Sequence, residues 1–262
     1  MKKETLFVAF STQKGGVGKT AVTVLTASYL HYVKGCHIAI VDCDFPQLSI
    51  DEERKRDGAL ILKDDYFKRK AYEMYSSLGI KAYPVIGSNP EKAVEAAQAL
   101  MEKSQKEFDI IFFDLPGTLN SGGMIKTLAS MDYIFTPISA DRFVLESTLQ
   151  YATLLNDRLI STGKSNIKAL YLFWNMVDSR EKTNLYEAYE NAIEELGLQI
   201  MKTSLPNSVR FRKEMSEDRG TIFRSTLFPP DKSLLKGSNI DLLANEICEI
   251  LNIRNNGKKE NE

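Results

Sequence analysis

Short runs of apolar, β-branched and aromatic residues alternate with longer segments whose apolar positions recur at helical spacing, and this alternation runs through most of the chain. The short runs predict strands over Leu6–Ser11, His37–Val41, Ile80–Ile86, Ile110–Asp114, Tyr133–Pro137, Ala169–Asn175 and Gln199–Ser204, each bounded by turn residues or charges. Between them the longer period predicts helices over 19–34, 50–78, 90–106, 121–130, 143–161, 181–196 and 207–217, with a last one over 239–253. Strand and helix in alternation are the pattern of βαβ units. The expected fold is therefore α/β: a mostly parallel twisted sheet with helices on both faces, as a single domain over 1–254. Right-handed crossovers bring the loops at the strands' C-terminal ends to one edge, where ligands bind in such folds. The polar end 255–262 (NNGKKENE) is expected to be a disordered tail.

Composition narrows the function classes. Of 262 residues, 43% are hydrophobic and 26% charged, the balance of a globular protein. Lys+Arg 34 against Asp+Glu 35 gives a formal net charge of −1, so any attraction to nucleic acid or anionic lipid must be local. Cys36, Cys43 and Cys248 form neither a CxxC pair nor an even disulfide framework, which fits reduced thiols and a cytoplasmic location. His31 and His37 are the only histidines, which argues against histidine catalysis or a zinc site. The first apolar run, Leu6–Phe10, is interrupted by Gln13 and Lys14 too soon for a signal peptide. No apolar stretch approaches the roughly 18 residues of a membrane span. The segment 51–78 is dense in charge, and reads either as a solvated helix face or as an insertion used for contacts.

The strongest chemical signal follows the first strand: Gln13-Lys14-Gly15-Gly16-Val17-Gly18-Lys19-Thr20, opening directly into a helix. Three glycines let backbone amides converge on phosphate oxygens without Cβ clashes, and the helix start adds free N–H groups and a positive dipole end. The loop from Gly15 to Ala21, including Val17, is thus a phosphate cradle. Lys19 is suited to the β- and γ-phosphates and the Thr20 hydroxyl to Mg²⁺, so a nucleoside triphosphate with Mg²⁺ is the expected ligand. The usual phosphate-loop pattern has glycine where Gln13 stands here.

Acidic residues follow at other strand ends. Val41-Asp42-Cys43-Asp44-Phe45-Pro46-Gln47 sets two carboxylates near the expected triphosphate, costly unless they meet Mg²⁺ or a water. The apolar strand Ile110–Phe113 ends in Asp114, the form of a Walker B carboxylate that holds Mg²⁺ through water. Asp114 begins a D-x-x-G segment whose Gly117 amide could sense a γ-phosphate. Asn175, ending another strand, carries an amide able to bond adenine as donor and acceptor.

Lys14 ahead of two glycines resembles the deviant Walker A ATPases, the family of ParA and Soj partition proteins, MinD and nitrogenase iron protein. The resemblance covers most of the chain and implies a P-loop architecture of that type. By it, Lys14 reaches the partner's nucleotide across an ATP-sandwiched homodimer, Asp44 orients the attacking water and Asp42 supports the magnesium shell. The segment 41–47 is similar to the family's D-x-D-P-Q with Phe45 as an extra residue, which leaves the role of Gln47 open. Leu205–Glu214 is similar to the partition-protein segment whose proline, here Pro206, flanks the base. Arg210, Arg212, Lys213, Arg219 and Arg224 form a basic cluster there, read either as a solvated face or as the non-specific DNA surface that partition ATPases use in their ATP-bound dimer.

The resemblance also implies a ParB-like protein that stimulates hydrolysis, and positioning of DNA as the outcome. Two alternatives stand beside this reading. One is a MinD-like membrane-positioning ATPase, but the stripe Ile240, Leu243, Ile247, Ile250, Leu251 carries an acidic polar face and is expected to pack on the core, with no membrane contact. The other is a metabolic ligase of the dethiobiotin synthetase type, which needs no partner-reaching lysine.

Overall fold

A computed structural model of the chain describes residues 4–117, 122–178, 180 and 183–253. Seven strands form one sheet in the order β3-β2-β4-β1-β5-β6-β7, every neighbouring pair parallel: β1 (Leu6–Phe10), β2 (Ile38–Asp42), β3 (Val85–Gly87), β4 (Ile110–Asp114), β5 (Tyr133–Ile138), β6 (Ala169–Trp174) and β7 (Gln199–Ile200). Because successive side chains on a strand point to opposite faces, the apolar runs split between two cores. Val8, Phe10, Ile110 and Phe112 enter one, while Ala9, Ile111 and Phe113 enter the other.

The first core is closed by α1 (Lys19–Tyr32) and, later in the chain, by the last helix, α9 (Ile240–Ile250). Ile240, Leu243 and Ile247 are fully buried there, so the C-terminal stripe packs on the core as expected. The second core is closed by α4 (Ala93–Lys103), α5 (Gly122–Ala129), α6 (Arg142–Leu155) and α7 (Thr183–Glu195). Helices thus cover both faces. No helix among the described residues is long and apolar enough to cross a membrane. The expected tail 255–262 lies outside the described residues, as do 121 and 181–182 at the starts of two expected helices.

Four expected elements are corrected. The helix expected over 50–78 is two, α2 (Ser49–Lys63) and α3 (Asp65–Leu78). Asp64 between them is extended (φ −113°, ψ 117°), and its carboxylate accepts the Tyr66 amide as an N-cap. The break turns Phe67 and Ala71 of α3 into a third, smaller core with Met215, Ile222 and Phe228. The helix expected over 207–217 is a single 3₁₀ turn, Val209–Arg212. Beyond it the chain is irregular, with the Phe223 and Arg224 amides both donating to the Lys213 carbonyl.

The strand expected from Ile80 begins only at Val85, because Pro84 has no N–H for the ladder, although its carbonyl still accepts the Ile40 amide. The strand expected over Gln199–Ser204 stops at Ile200 because the Lys202 and Thr203 amides donate to the Glu246 carboxylate of α9 instead of to a strand. Elsewhere the ends differ by a residue or a few, and the helix after β5 finishes in a π turn over Asn156–Ile160. The remaining short helix, α8, spans Lys232–Leu235.

Candidate functional site

The C-terminal ends of β1, β2, β4 and β6 lie along one edge, and the loops that follow them build a single site. After β1 the chain turns through Gly16 (φ +77°) and Gly18 (φ +83°), left-handed positions that glycine adopts without a Cβ penalty. Gly18 is the N-cap of α1, so the helix presents its first amides and positive dipole end to the loop. A Cβ on Gly18 would stand 2.8 Å from Asn175 Nδ2. Here Asn175 donates that amide to the Val17 carbonyl (2.8 Å) and accepts the Met176 amide (2.9 Å), stitching the end of β6 to the loop. Pro206 lies beside it, paired in a parallel bridge with Val177.

Lys19 is buried and donates through Nζ to the Lys14 carbonyl (3.3 Å). Desolvation lowers its pKa below the usual lysine value, offset in part by the nearby Asp114 and Asp44 carboxylates. Lys14 itself is exposed. Thr20 Oγ1 donates to Asp114 Oδ2 (2.7 Å), joining the first turn of α1 to the end of β4. Asp114 is 1% exposed, and burial pushes its carboxyl up to about 7. Its second oxygen, Oδ1, is buried with no hydrogen-bond partner among the described residues.

An orphaned carboxylate oxygen beside a threonine hydroxyl and a lysine is what a hard cation would satisfy, so the residues present fit Mg²⁺. No group of three or more His, Cys, Asp or Glu among the described residues could hold a metal, so a cation there would take most of its ligands from phosphate and water, as Mg²⁺ does.

Asp42 pairs in register with Asp114 across β2 and β4 and is fully buried. Both its oxygens are already used: Oδ1 accepts the Asp44 amide (3.2 Å), and Oδ2 accepts those of Ile50 (2.8 Å) and Asp51 (3.1 Å). It therefore ties the Asp44–Leu48 turn and the start of α2 to the sheet, and burial raises its pKa above the ordinary range. The turn contains a cis Phe45-Pro46 bond and brings Asp44 and Gln47 to the site.

A cavity of about 460 Å³ opens between these loops, lined by Gly15, Gly16, Gly18, Lys19, Thr20, Ala21, Asp44, Gln47, Leu115, Pro116, Gly117 and Arg224. Gly117 presses on the loop: a Cβ there would come within 3.2–3.3 Å of the Lys14 and Gly15 backbone. Val17, Asp42, Asp114, Asn175 and Pro206 stand behind this lining or beside it. Arg224 and Gln47 are wall residues that the sequence reading did not assign to the site. Nothing local signals Arg224, some 200 residues downstream of the loop it meets.

The basic cluster is dispersed by its partners. Arg224 pairs with Glu53 (3.3 Å) and Glu214, and Arg219 with Asp64 (3.0 Å). Arg210 donates to the Leu234 (3.0 Å) and Lys236 (2.6 Å) carbonyls, leaving Arg212 and Lys213 as the exposed cations of that turn. The charged segment of α2 and α3 supplies several of these partners. Arg54 donates to Thr226 Oγ1 (2.7 Å), Asp57 accepts Ser225 Oγ (2.7 Å), Arg56 pairs with Glu214, and Lys63 with Glu217 (2.9 Å). Its charge is thus partly an internal polar seam against the 213–228 loop.

Comparison with known proteins places the chain in a family and a fold. A family model described as the CobQ/CobB/MinD/ParA nucleotide binding domain matches residues 8–222. The chromosome-partitioning ATPase Soj of Thermus thermophilus is 26% identical over 217 residues, covering 80% of this chain and 84% of that protein. Among solved structures, the cell division ATPase MinD of Pyrococcus furiosus superposes with a TM-score of 0.59 at 19% identity, over 94% of this chain and 100% of that one. A putative plasmid partition protein of Borrelia burgdorferi bound to AMPPNP gives 0.58 at 16% identity, over 92% and 98%. These structural likenesses establish the shared fold.

Proposed function

The chain belongs to the CobQ/CobB/MinD/ParA nucleotide-binding family, and from that premise we propose that it is a cytoplasmic ATPase of the partition type. It forms a homodimer around Mg-ATP, binds DNA non-specifically in that state, and is reset by hydrolysis that a ParB-like partner stimulates. The observation that carries the nucleotide half of this reading is Asp114 at the mouth of a glycine loop: Oδ2 accepts Thr20, while the buried Oδ1 has no partner among the described residues.

In this reading the amides from Gly15 to Ala21 and the Lys19 ammonium hold the phosphate chain. Thr20 and Asp114 would hold Mg²⁺, whereas Asp42, expected to support the magnesium shell, fixes the adjoining turn because both its oxygens already accept backbone amides; the metal would supply charge neutralisation of the phosphates. Asp44 orients the attacking water, and Gly117 contacts the terminal phosphate. Asn175 and Pro206 flank the base, which requires Asn175 to release the Val17 carbonyl or to bond the base through its remaining acceptor capacity. Lys14, exposed at the rim, reaches the partner's nucleotide. Arg212 and Lys213 offer phosphate contacts to DNA.

The first experiment is the solution mass of the protein with Mg²⁺ and ADP, ATP or a slowly hydrolysed ATP analogue, with duplex DNA of arbitrary sequence added last. The expected result is a dimer that forms and binds DNA only with the triphosphate. An assembly indifferent to nucleotide and to DNA would overturn the partition reading and favour a metabolic enzyme on the same scaffold.

A further inference from the structure

We propose that Arg224 reads the terminal phosphate of the bound nucleotide from within the same chain, exchanging its pairing with Glu214 for a phosphate oxygen. Arg56 on α2, left with Glu214, then carries the change to the charged α2–α3 segment. This rests on the nucleotide reading above and adds to it a phosphate-contacting residue and a route for the signal.

Four observations carry it. First, Arg224 lines the same cavity as Lys19, Gly15, Gly16, Asp44 and Gly117. A triphosphate brings several negative charges to a cavity whose other wall cation is Lys19, and a guanidinium is the side chain best shaped to meet phosphate oxygens in pairs. Second, its backbone is fixed. Phe223 and Thr226 are fully buried and Ser225 nearly so, Ser28 donates to the Ser225 carbonyl (2.6 Å), and Arg54 and Tyr32 donate to the Thr226 carbonyl (3.0 and 2.9 Å). The guanidinium is therefore presented from a rigid base, as a recognition group must be.

Third, its present partners leave it incompletely bonded. Arg224 Nε is buried 3.3 Å from Glu53 Oε2 but makes no hydrogen bond among the described residues, and Glu53 Oε1 is likewise buried and unpartnered. Buried polar atoms in this condition are costly, and a site that holds them is poised to rearrange. Fourth, Glu214 is shared. It accepts from Arg224 through one oxygen and from Arg56 through the other, so loss of Arg224 leaves it a partner on α2. The exchange then costs no unpaired carboxylate at Glu214, and the helix that bears Arg56 also bears Glu53, Arg54 and Asp57, all joined to the 224–226 strip.

The test is a titration of the full chain, with Mg²⁺, by fluorescent ADP and by a fluorescent non-hydrolysable ATP analogue. Arg224→Gln is expected to weaken the triphosphate about tenfold and the diphosphate less than twofold, with Arg224→Lys retaining part of the preference. Equal weakening of both nucleotides, or of neither, overturns the inference. Should Arg224→Gln not fold, Glu214→Gln carries the test: freeing Arg224 from its carboxylate is expected to raise the ratio of triphosphate to diphosphate affinity several-fold, and an unchanged ratio overturns it. Lys19→Ala separates the two readings. Where wild type binds both nucleotides and Lys19→Ala binds neither, the site is a nucleotide site whatever Arg224 does. Where wild type binds neither, the nucleotide reading fails and this inference fails with it.

Discussion

Single carboxylates in this protein acquire distinct roles from their surroundings. Glu53 of α2 is 3% exposed, and burial raises its carboxyl to about 7 despite Arg224. Asp57, Glu214 and Arg56 are the other charges that act on it. Below the ordinary glutamate range the group is protonated whether folded or not. Between there and about 7 the unfolded chain gives up the proton while the folded one keeps it, so stability falls as pH rises through this window. A full proton difference is worth about 1.4 kcal/mol per pH unit. Glu53→Gln is therefore expected to flatten the dependence of the unfolding midpoint on pH between about 5 and 7, measured in denaturant at each pH; an unchanged slope would place the linked group elsewhere. Asp44 serves a different end. It lines the cavity beside the glycine loop, and if it orients the attacking water as proposed, its replacement by alanine should lower ATP turnover by about 10²–10⁴ with little change in nucleotide affinity. Turnover equal to wild type would remove Asp44 from the mechanism.

Elements are decided by competition for hydrogen bonds as much as by periodicity. The 50–78 pattern is helical throughout, yet Asp64 interrupts it because an aspartate can cap α3 and pair with Arg219 at once. Strand β7 ends early because Glu246, 44 residues beyond Lys202, accepts the amides the ladder would have used. In α9, Ile247 is fully buried beneath α1, so Ile247→Ala should cost about 2–5 kcal/mol of unfolding free energy while nucleotide binding stays within twofold, read by denaturant unfolding and titration together. Gly117 has the opposite profile. Its missing Cβ admits the backbone of Lys14 and Gly15, which would have to give by a few tenths of an ångström, so Gly117→Ala should weaken nucleotide binding at least several-fold at a small cost in stability, read by titration and denaturant unfolding.

For the whole molecule, the near-zero net charge would leave the proposed DNA binding to a local surface, and pairing decides which cations are available. Arg219 and Arg224 are engaged by carboxylates, and Arg210 by the Leu234 and Lys236 carbonyls. Reversing Arg212 and Lys213 to glutamate should therefore weaken ATP-dependent DNA binding and flatten its salt dependence by about one to two phosphate contacts, measured as log affinity against log salt. Reversing Arg210 should instead cost stability. The sequence by itself determined the α/β class, the parallel order of strand and helix, the glycine loop and the carboxylate ending β4, because periodicity, turn chemistry and a contiguous phosphate cradle are local properties of a chain. Only the tertiary structure decided that Arg224 and Gln47 wall the cavity, that Asp42 spends its oxygens on the start of α2, and that the charged segment faces a loop some 160 residues downstream. Those outcomes depend on which distant donors and acceptors the folded sheet brings within bonding reach, and no spacing along the chain encodes that.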